Sequence, residues 1–159
     1  MTLMGVDIET YSSVDLKATG VRPYTEAPDF TILLISYKVN DQPTKIIDLA
    51  EMELVAAELT LLPPVASDLI DGNLDEFLAL LTDPAVVKTA YNASFERTCL
   101  ARYFNRPMPP KQWQCTMVQA ATLGLPGTLA QVGAVLGLDK QKMTEGAELI
   151  RFFCKPDRD

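Results

Sequence analysis

Three apolar, β-patterned runs open the chain, and strand-like and helix-like segments alternate after them. LMGVDI (3–8) reads as a short buried strand. Beyond a stretch punctuated by Gly and Pro from Gly20 to Pro28, TILLISYKV (31–39) and TKIIDL (44–49) flank the turn NDQP and form a hairpin. Glu51–Leu62 has the pattern of a short helix, stopped by Pro63 and Pro64. NLDEFLALLTDP (73–84) is a helix with Asn73 as cap, Glu76 at the capping-box position, and Leu74, Phe77, Leu78 and Leu81 at helical spacing. VVKTAYN (86–92) is a strand that runs into SFERTCLARYF (94–104), a helix capped by Ser94 with Phe95, Cys99 and Tyr103 toward the core. WQCTMVQAATLG (113–124) gives a short strand and a helix ending at Gly124. Thr128 caps a helix with Leu129, Val132, Gly133 and Leu136 on one face and Gly137 as its stop. A last helix from near Thr144 is expected to bury Leu149, Phe152 and Phe153. An opening hairpin followed by this alternation implies an α/β domain with a mixed sheet. At 159 residues, 48% hydrophobic and 22% charged, without repeats or linkers, the chain fits one globular domain over 1–159.

The first strand ends in two acids. On a strand of period two, Asp7 and Glu9 share one face while Val6 and Ile8 share the other. Two readings compete: the strand has ended and both acids sit in water, or a divalent cation lies between them. Mg²⁺ and Mn²⁺ take oxygen ligands and are held by one or two carboxylates together with waters and substrate phosphate.

Composition removes other chemistries. The chain has no His, which excludes imidazole bases, Ser-His-Asp and Cys-His hydrolases and the usual catalytic zinc centres. Cys99, Cys115 and Cys154 are odd in number and lack CxxC spacing, against a disulfide framework or zinc site and in keeping with a reduced cytoplasm. No apolar run is long enough to span a bilayer, and no secretory leader pattern precedes the first strand, so no membrane partner is expected. A net charge of −7 argues against a broad nonspecific DNA-binding face. The charge is nevertheless divided: Ile46–Val87 holds acids and no Lys or Arg, whereas Arg97–Leu138 holds Arg97, Arg102, Arg106 and Lys111 and no acid, which permits a polyanion to approach one side.

A second acid lies in AYNASFERTCL (90–100), where a strand ends at Asn92 and Glu96 occupies the first turn of the next helix. An anion there is favourable for the helix by itself, by ~0.3–1 kcal/mol. Taken in order, Asp7-Ile8-Glu9 and Asn92-Ala93-Ser94-Phe95-Glu96 resemble the first and second motifs of the DEDD family of 3′-to-5′ exonucleases. DIETYSSVDL, AYNASFERTCL, WQCTMVQAATLGLPGTLAQVGAVLGL and EGAELIRFFCKP together resemble the proofreading domain of phage-type family A DNA polymerases across nearly the whole chain.

The resemblance implies an RNase H-like fold, with a mixed five-stranded sheet whose second strand is antiparallel, flanked by helices. It implies that Asp7 bridges two Mg²⁺ or Mn²⁺ ions, that Glu9 holds the first and that Glu96 lies near the second. Most members have Asp where this chain has Glu96. Asn92 would touch the terminal nucleotide and the backbone at Thr10 its 3′ end, while Tyr11 and Phe95 flank the motifs and either wedge against the terminal base or pack internally. The expected partners are a single-stranded DNA 3′ end and the polymerase domain of a longer chain, in a cytoplasmic setting; the resemblance leaves oligomeric state open.

The family's third motif, Tyr-x-x-x-Asp or His-x-x-x-x-Asp, is missing: the last tyrosine is Tyr103, and Asp139, Asp157 and Asp159 have no Tyr four residues earlier. The chain therefore reads as truncated before that motif, with weak or absent activity of its own. Two alternatives remain: a non-catalytic exonuclease-fold module binding DNA ends or a protein partner, and an RNase H-like nuclease completed by Asp139 or Asp157. GLPG (124–127) lacks the phosphate-loop pattern and reads as a helix-to-helix turn, and Trp113 reads as core.

Overall fold

A computed structural model describes residues 1–50, 71–138 and 146–154. The expected helix at 51–62 and the late acids Asp139, Asp157 and Asp159 lie outside the described residues. The elements in chain order are β1 (Thr2–Tyr11), α1 (Leu16–Thr19), α2 (Val21–Glu26), β2 (Thr31–Val39), β3 (Lys45–Asp48), α3 (Leu74–Thr82), β4 (Val86–Ala90), α4 (Ala93–Tyr103), a 3₁₀ turn (Pro110–Gln112), β5 (Trp113–Cys115), α5 (Thr116–Thr122), α6 (Leu129–Val135) and α7 (Gly146–Phe153). No described helix is long and apolar enough to cross a membrane.

The strands form one sheet in the order β3-β2-β1-β4-β5. β2 is antiparallel to both β1 and β3, and β4 is parallel to β1 and β5, so the mixed sheet with its antiparallel second strand is as expected. Strand β1 is central, and its alternation sets the layering. Met4, Val6, Ile8 and Thr10 are buried, and the three apolar ones join Ile35, Tyr37 and Ile47 in a core that takes Phe77 and Leu81 from α3 and Cys99 and Leu100 from α4. Asp7 and Glu9 alternate to the other face.

Several local features differ from the sequence expectations. Strand β1 runs three residues beyond Ile8, because β2 continues to pair with it through a bulge between Glu9 and Thr10. The stretch from Gly20 onward contains α2, and Asp15 caps α1 before it, accepting from the Lys17 N–H at 2.8 Å. Asn73 caps α3 by accepting from the Glu76 N–H at 2.9 Å, but the Glu76 carboxylate turns to Lys45 Nζ (2.7 Å) and Tyr37 OH (3.3 Å) on the hairpin. Helix α4 starts at Ala93, so Asn92, not Ser94, is its N-cap; Asn92 holds φ +72°, a left-handed conformation that Asn tolerates better than most side chains. Val132 and Gly133 of α6 are buried, while Leu129 and Leu136 are exposed. Leu149, Phe152 and Phe153 of α7 are 58, 78 and 58% exposed, contrary to expectation. The apolar residues of LIRFF occupy more of the helix circumference than one contact face covers.

Two tight approaches shape the sheet rim. At Gly72 a Cβ would lie 2.5 Å from Ile47 Cγ1 and 2.6 Å from the Ile46 carbonyl oxygen, so only glycine lets the chain lie against β3. Its N–H donates to that carbonyl at 2.9 Å. Lys88, fully buried in β4, donates to the Asp83 carbonyl at 2.7 Å and Gln112 Oε1 at 3.3 Å, and burial lowers its pKa.

Phe77 is wholly buried between the Tyr37 ring (centroids 5.3 Å apart) and the Phe104 ring (6.4 Å). Phe77→Ala is expected to destabilise the chain by about 3–5 kcal/mol in urea titration; a loss below about 1 kcal/mol would show that this helix does not hold the sheet.

Candidate functional site

The site begins with the register of β1. Asp7 faces Ser36 and Glu9 faces Leu34 on β2, and Leu34 in turn faces Asp48 on β3. The bulge after Glu9 breaks this register at the point where the acid-bearing face gives way to Thr10. Thr10 turns inward: its hydroxyl lies 2.8 Å from Tyr24 OH, and Ser12 Oγ donates to the Tyr24 carbonyl at 2.9 Å. Tyr24 also packs against Phe30 and Phe95, at centroid distances of 5.7 and 6.3 Å. Helix α2 thus buttresses the end of the acid strand through Tyr24, a residue the sequence reading did not single out. Its signal was the cap at Asp15, which marks helical structure after SSVD. Phe95 is half-buried against the core. Tyr11 is half-buried at the end of β1.

Asp7 and Glu9 form part of the wall of a cleft of about 1150 Å³. The cleft is also lined by apolar side chains, Leu129 from α6 and Leu149, Ile150 and Phe153 from α7. Tyr91 completes this wall, its hydroxyl donating to the Gly127 carbonyl at 3.0 Å and tying the GLPG turn between α5 and α6 to the end of β4. Cys154 reaches into the same cleft from the end of α7, where its Sγ lies 3.7 Å from Glu9 Oε2. Burial, then the Glu9 charge, push the Cys154 thiol up to about 11, so it is protonated at neutral pH. Tyr91 and Cys154 carried no distinguishing signal in the sequence.

Glu96 is set differently from the strand acids. It is 4% exposed on the inner side of α4, and its Oε2 is buried without a hydrogen-bond partner. Burial raises its pKa to about 7, and Asp7 is close enough for its charge to add to the rise. Glu96 in turn helps burial push the Cys99 thiol up to about 12. Asn92, exposed at the N-cap of α4, makes no side-chain cap hydrogen bond. Arg97 donates to the Met108 carbonyl at 3.2 Å. Among the described residues, no group of three or more Cys, Asp and Glu is gathered tightly enough to cage a metal ion alone. The donor set is two carboxylates on one strand face and an orphaned buried carboxyl oxygen near one of them. That fits an ion such as Mg²⁺, which keeps several waters and takes one or two protein carboxylates.

No protein-family model matches the chain. It is 48% identical over 161 residues to a DNA polymerase of Bacillus phage SP02, a match that takes in 99% of this chain. The chain is homologous to part of a phage DNA polymerase. It spans 22% of that relative's length. The structure of Brucella melitensis NrnC with bound Mg²⁺ superposes with a TM-score of 0.55 at 17% identity, over 89% of this chain and 56% of that one. A chain from the co-crystal of the yeast NOT1 MIF4G domain with CAF1 gives a TM-score of 0.52 at 13% identity, over 93% of this chain and 75% of that one. These likenesses show that the chain shares its fold, a mixed five-stranded sheet flanked by helices as expected from the sequence, with both structures.

Glu96 generates a pH test on the metal-free protein. An acid whose folded-state value is raised from 4.5 to about 7 carries no penalty while protonated and a growing one as pH rises through that interval. The full effect is on the order of 3 kcal/mol above pH 7. In EDTA, Glu96→Gln is expected to gain stability relative to the unmodified chain between pH 5 and pH 8 in urea titrations. Parallel profiles for the two proteins would show that Glu96 is not held in a desolvated position.

Proposed function

We propose that this chain is the 3′-to-5′ exonuclease domain of a DNA polymerase, which hydrolyses 3′-terminal nucleotides from single-stranded DNA ends with the help of divalent metal ions. The observation that carries the reading is the placement of Asp7 and Glu9 on one face of the central strand, at the wall of a cleft whose volume of about 1150 Å³ admits a nucleotide. Homology to a phage DNA polymerase supports the same reading, as does the Mg²⁺ bound by the structurally similar NrnC.

Asp7 and Glu9 would hold the ions, two in the complete site, with Glu96 beside Asp7. Divalent ions held there would supply charge neutralisation for the scissile phosphate and a bound water of lowered pKa for its hydrolysis. The protein's own part is positioning. The backbone at Thr10, fixed by the Thr10–Tyr24 hydrogen bond, would meet the 3′ end, and Asn92 would reach the terminal nucleotide. Tyr11 stands beside them. The apolar side chains of α6 and α7 in the cleft would offer the base a surface to pack on. The two carboxylates would repel an incoming phosphodiester, a repulsion that cations held by Asp7 and Glu9 would offset. The family's third-motif carboxylate is not present in this sequence, so these 159 residues are expected to cut slowly.

A second reading has its own observation. The exposed apolar side chains of α7, Leu149, Phe152 and Phe153, favour a module that binds DNA ends or a protein partner without cutting. Degradation of a 3′-labelled single strand with Mg²⁺ or Mn²⁺, at enzyme in excess over DNA, separates the two. Slow release of 3′ nucleotides, reduced more than about 100-fold by Asp7→Ala or Glu9→Ala, is the expected result and exceeds the loss typical of an outer-shell partner. Metal-independent binding of the strand with no cleavage would favour the non-catalytic module.

A further inference from the structure

We propose that Cys154 is a positioning residue for Glu9: its thiol, delivered by α7, orients the Glu9 carboxylate toward a divalent cation held on the β1 face. The inference rests on the reading that Glu9 is a metal ligand. Cys154 and Glu9 are 145 residues apart in sequence, yet Sγ lies 3.7 Å from Oε2, a sulfur hydrogen-bond distance. An ionised carboxylate only accepts, so the thiol is the donor.

The contact is held in place by the helix. The Cys154 N–H donates to the Ile150 carbonyl at 3.0 Å, which fixes the residue to the last turn of α7. Ile150 and Phe153 of that turn line the same cleft as Asp7 and Glu9. The thiol therefore arrives on a regular element and engages one oxygen of the Glu9 carboxylate, a contact that bears on the rotation of the carboxylate about its last bond. Ligating carboxylates are commonly held by such outer hydrogen bonds, and losing one lowers metal affinity by about 10–100-fold.

The test is Mn²⁺ binding by the full chain, read as free Mn²⁺ in electron paramagnetic resonance titrations, with no nucleic acid present. Cys154→Ala removes the donor and is expected to weaken Mn²⁺ binding by about 10-fold or more. Cys154→Ser keeps a donor and is expected to restore affinity to within about 3-fold, less than the smallest outer-shell effect. A purely structural role for Cys154 would lower the urea midpoint of the variants without separating Ala from Ser in Mn²⁺ affinity, and that result would overturn the proposal. Glu9→Gln distinguishes the two levels of the argument. If Glu9→Gln abolishes Mn²⁺ binding while Cys154→Ala binds as the unmodified chain does, the positioning role alone falls. If the unmodified chain binds no Mn²⁺, or binds it independently of Glu9, the metal reading of the site falls and this proposal with it.

Discussion

The pairing of β1 between β2 and β4 is the constraint on which the rest of the molecule depends. One face of this strand supplies Met4, Val6 and Ile8 to the core, and the other presents Asp7 and Glu9 to the cleft. A slip of one residue would exchange the two sets, placing carboxylates among Phe77, Cys99 and Leu100 and isoleucine in water, so the hydrophobic effect itself fixes the position of the acids. The parallel pairing with β4 then brings the N-terminus of α4, with Asn92 and Glu96, to the same end of the sheet.

Electrostatics gives this arrangement its tension. Glu96 keeps a buried oxygen without a hydrogen-bond partner near the charge of Asp7, an arrangement that burial alone makes unfavourable for the ionised form. An added positive charge would relieve it. The apolar part of the lining adds a second demand, since a solvent cleft lined by Leu149, Ile150 and Phe153 leaves apolar surface exposed until something apolar packs against it. Under the proposed function, a nucleotide with its phosphate toward the acids and its base toward those side chains would answer both demands.

Much of this was legible in the sequence because strong patterns carry local structure. The hairpin, the cap at Asn73 and the stops at Gly124 and Gly137, both at positive φ, needed only short-range signals. The same holds for the shared face of Asp7 and Glu9, which follows from a period of two. What was not legible depends on tertiary partners. Helices α1 and α2, of four and six residues, are too short for a periodic signal, so Tyr24 and its hold on Thr10 were hidden. Glu76 was read as a capping-box acid but finds Lys45 on the neighbouring hairpin, a choice that depends on how α3 docks. Helix α7 has apolar residues around much of its surface, so its pattern could not say which of them line the cleft beside the sheet; Leu149, Ile150, Phe153 and, just beyond the helix, Cys154 do, with Phe152 left outside. The meeting of Cys154 with Glu9 spans almost the whole chain and has no sequence pattern at all.

The most direct measurement is a crystal structure of the chain with Mn²⁺ and a deoxynucleoside 5′-monophosphate, using anomalous scattering to locate the ion. The account predicts Mn²⁺ on the Asp7 and Glu9 carboxylates, with the phosphate against it and the base packed on the α6–α7 wall. Mn²⁺ bound elsewhere, or a nucleotide that avoids this cleft at saturating concentration, would contradict it.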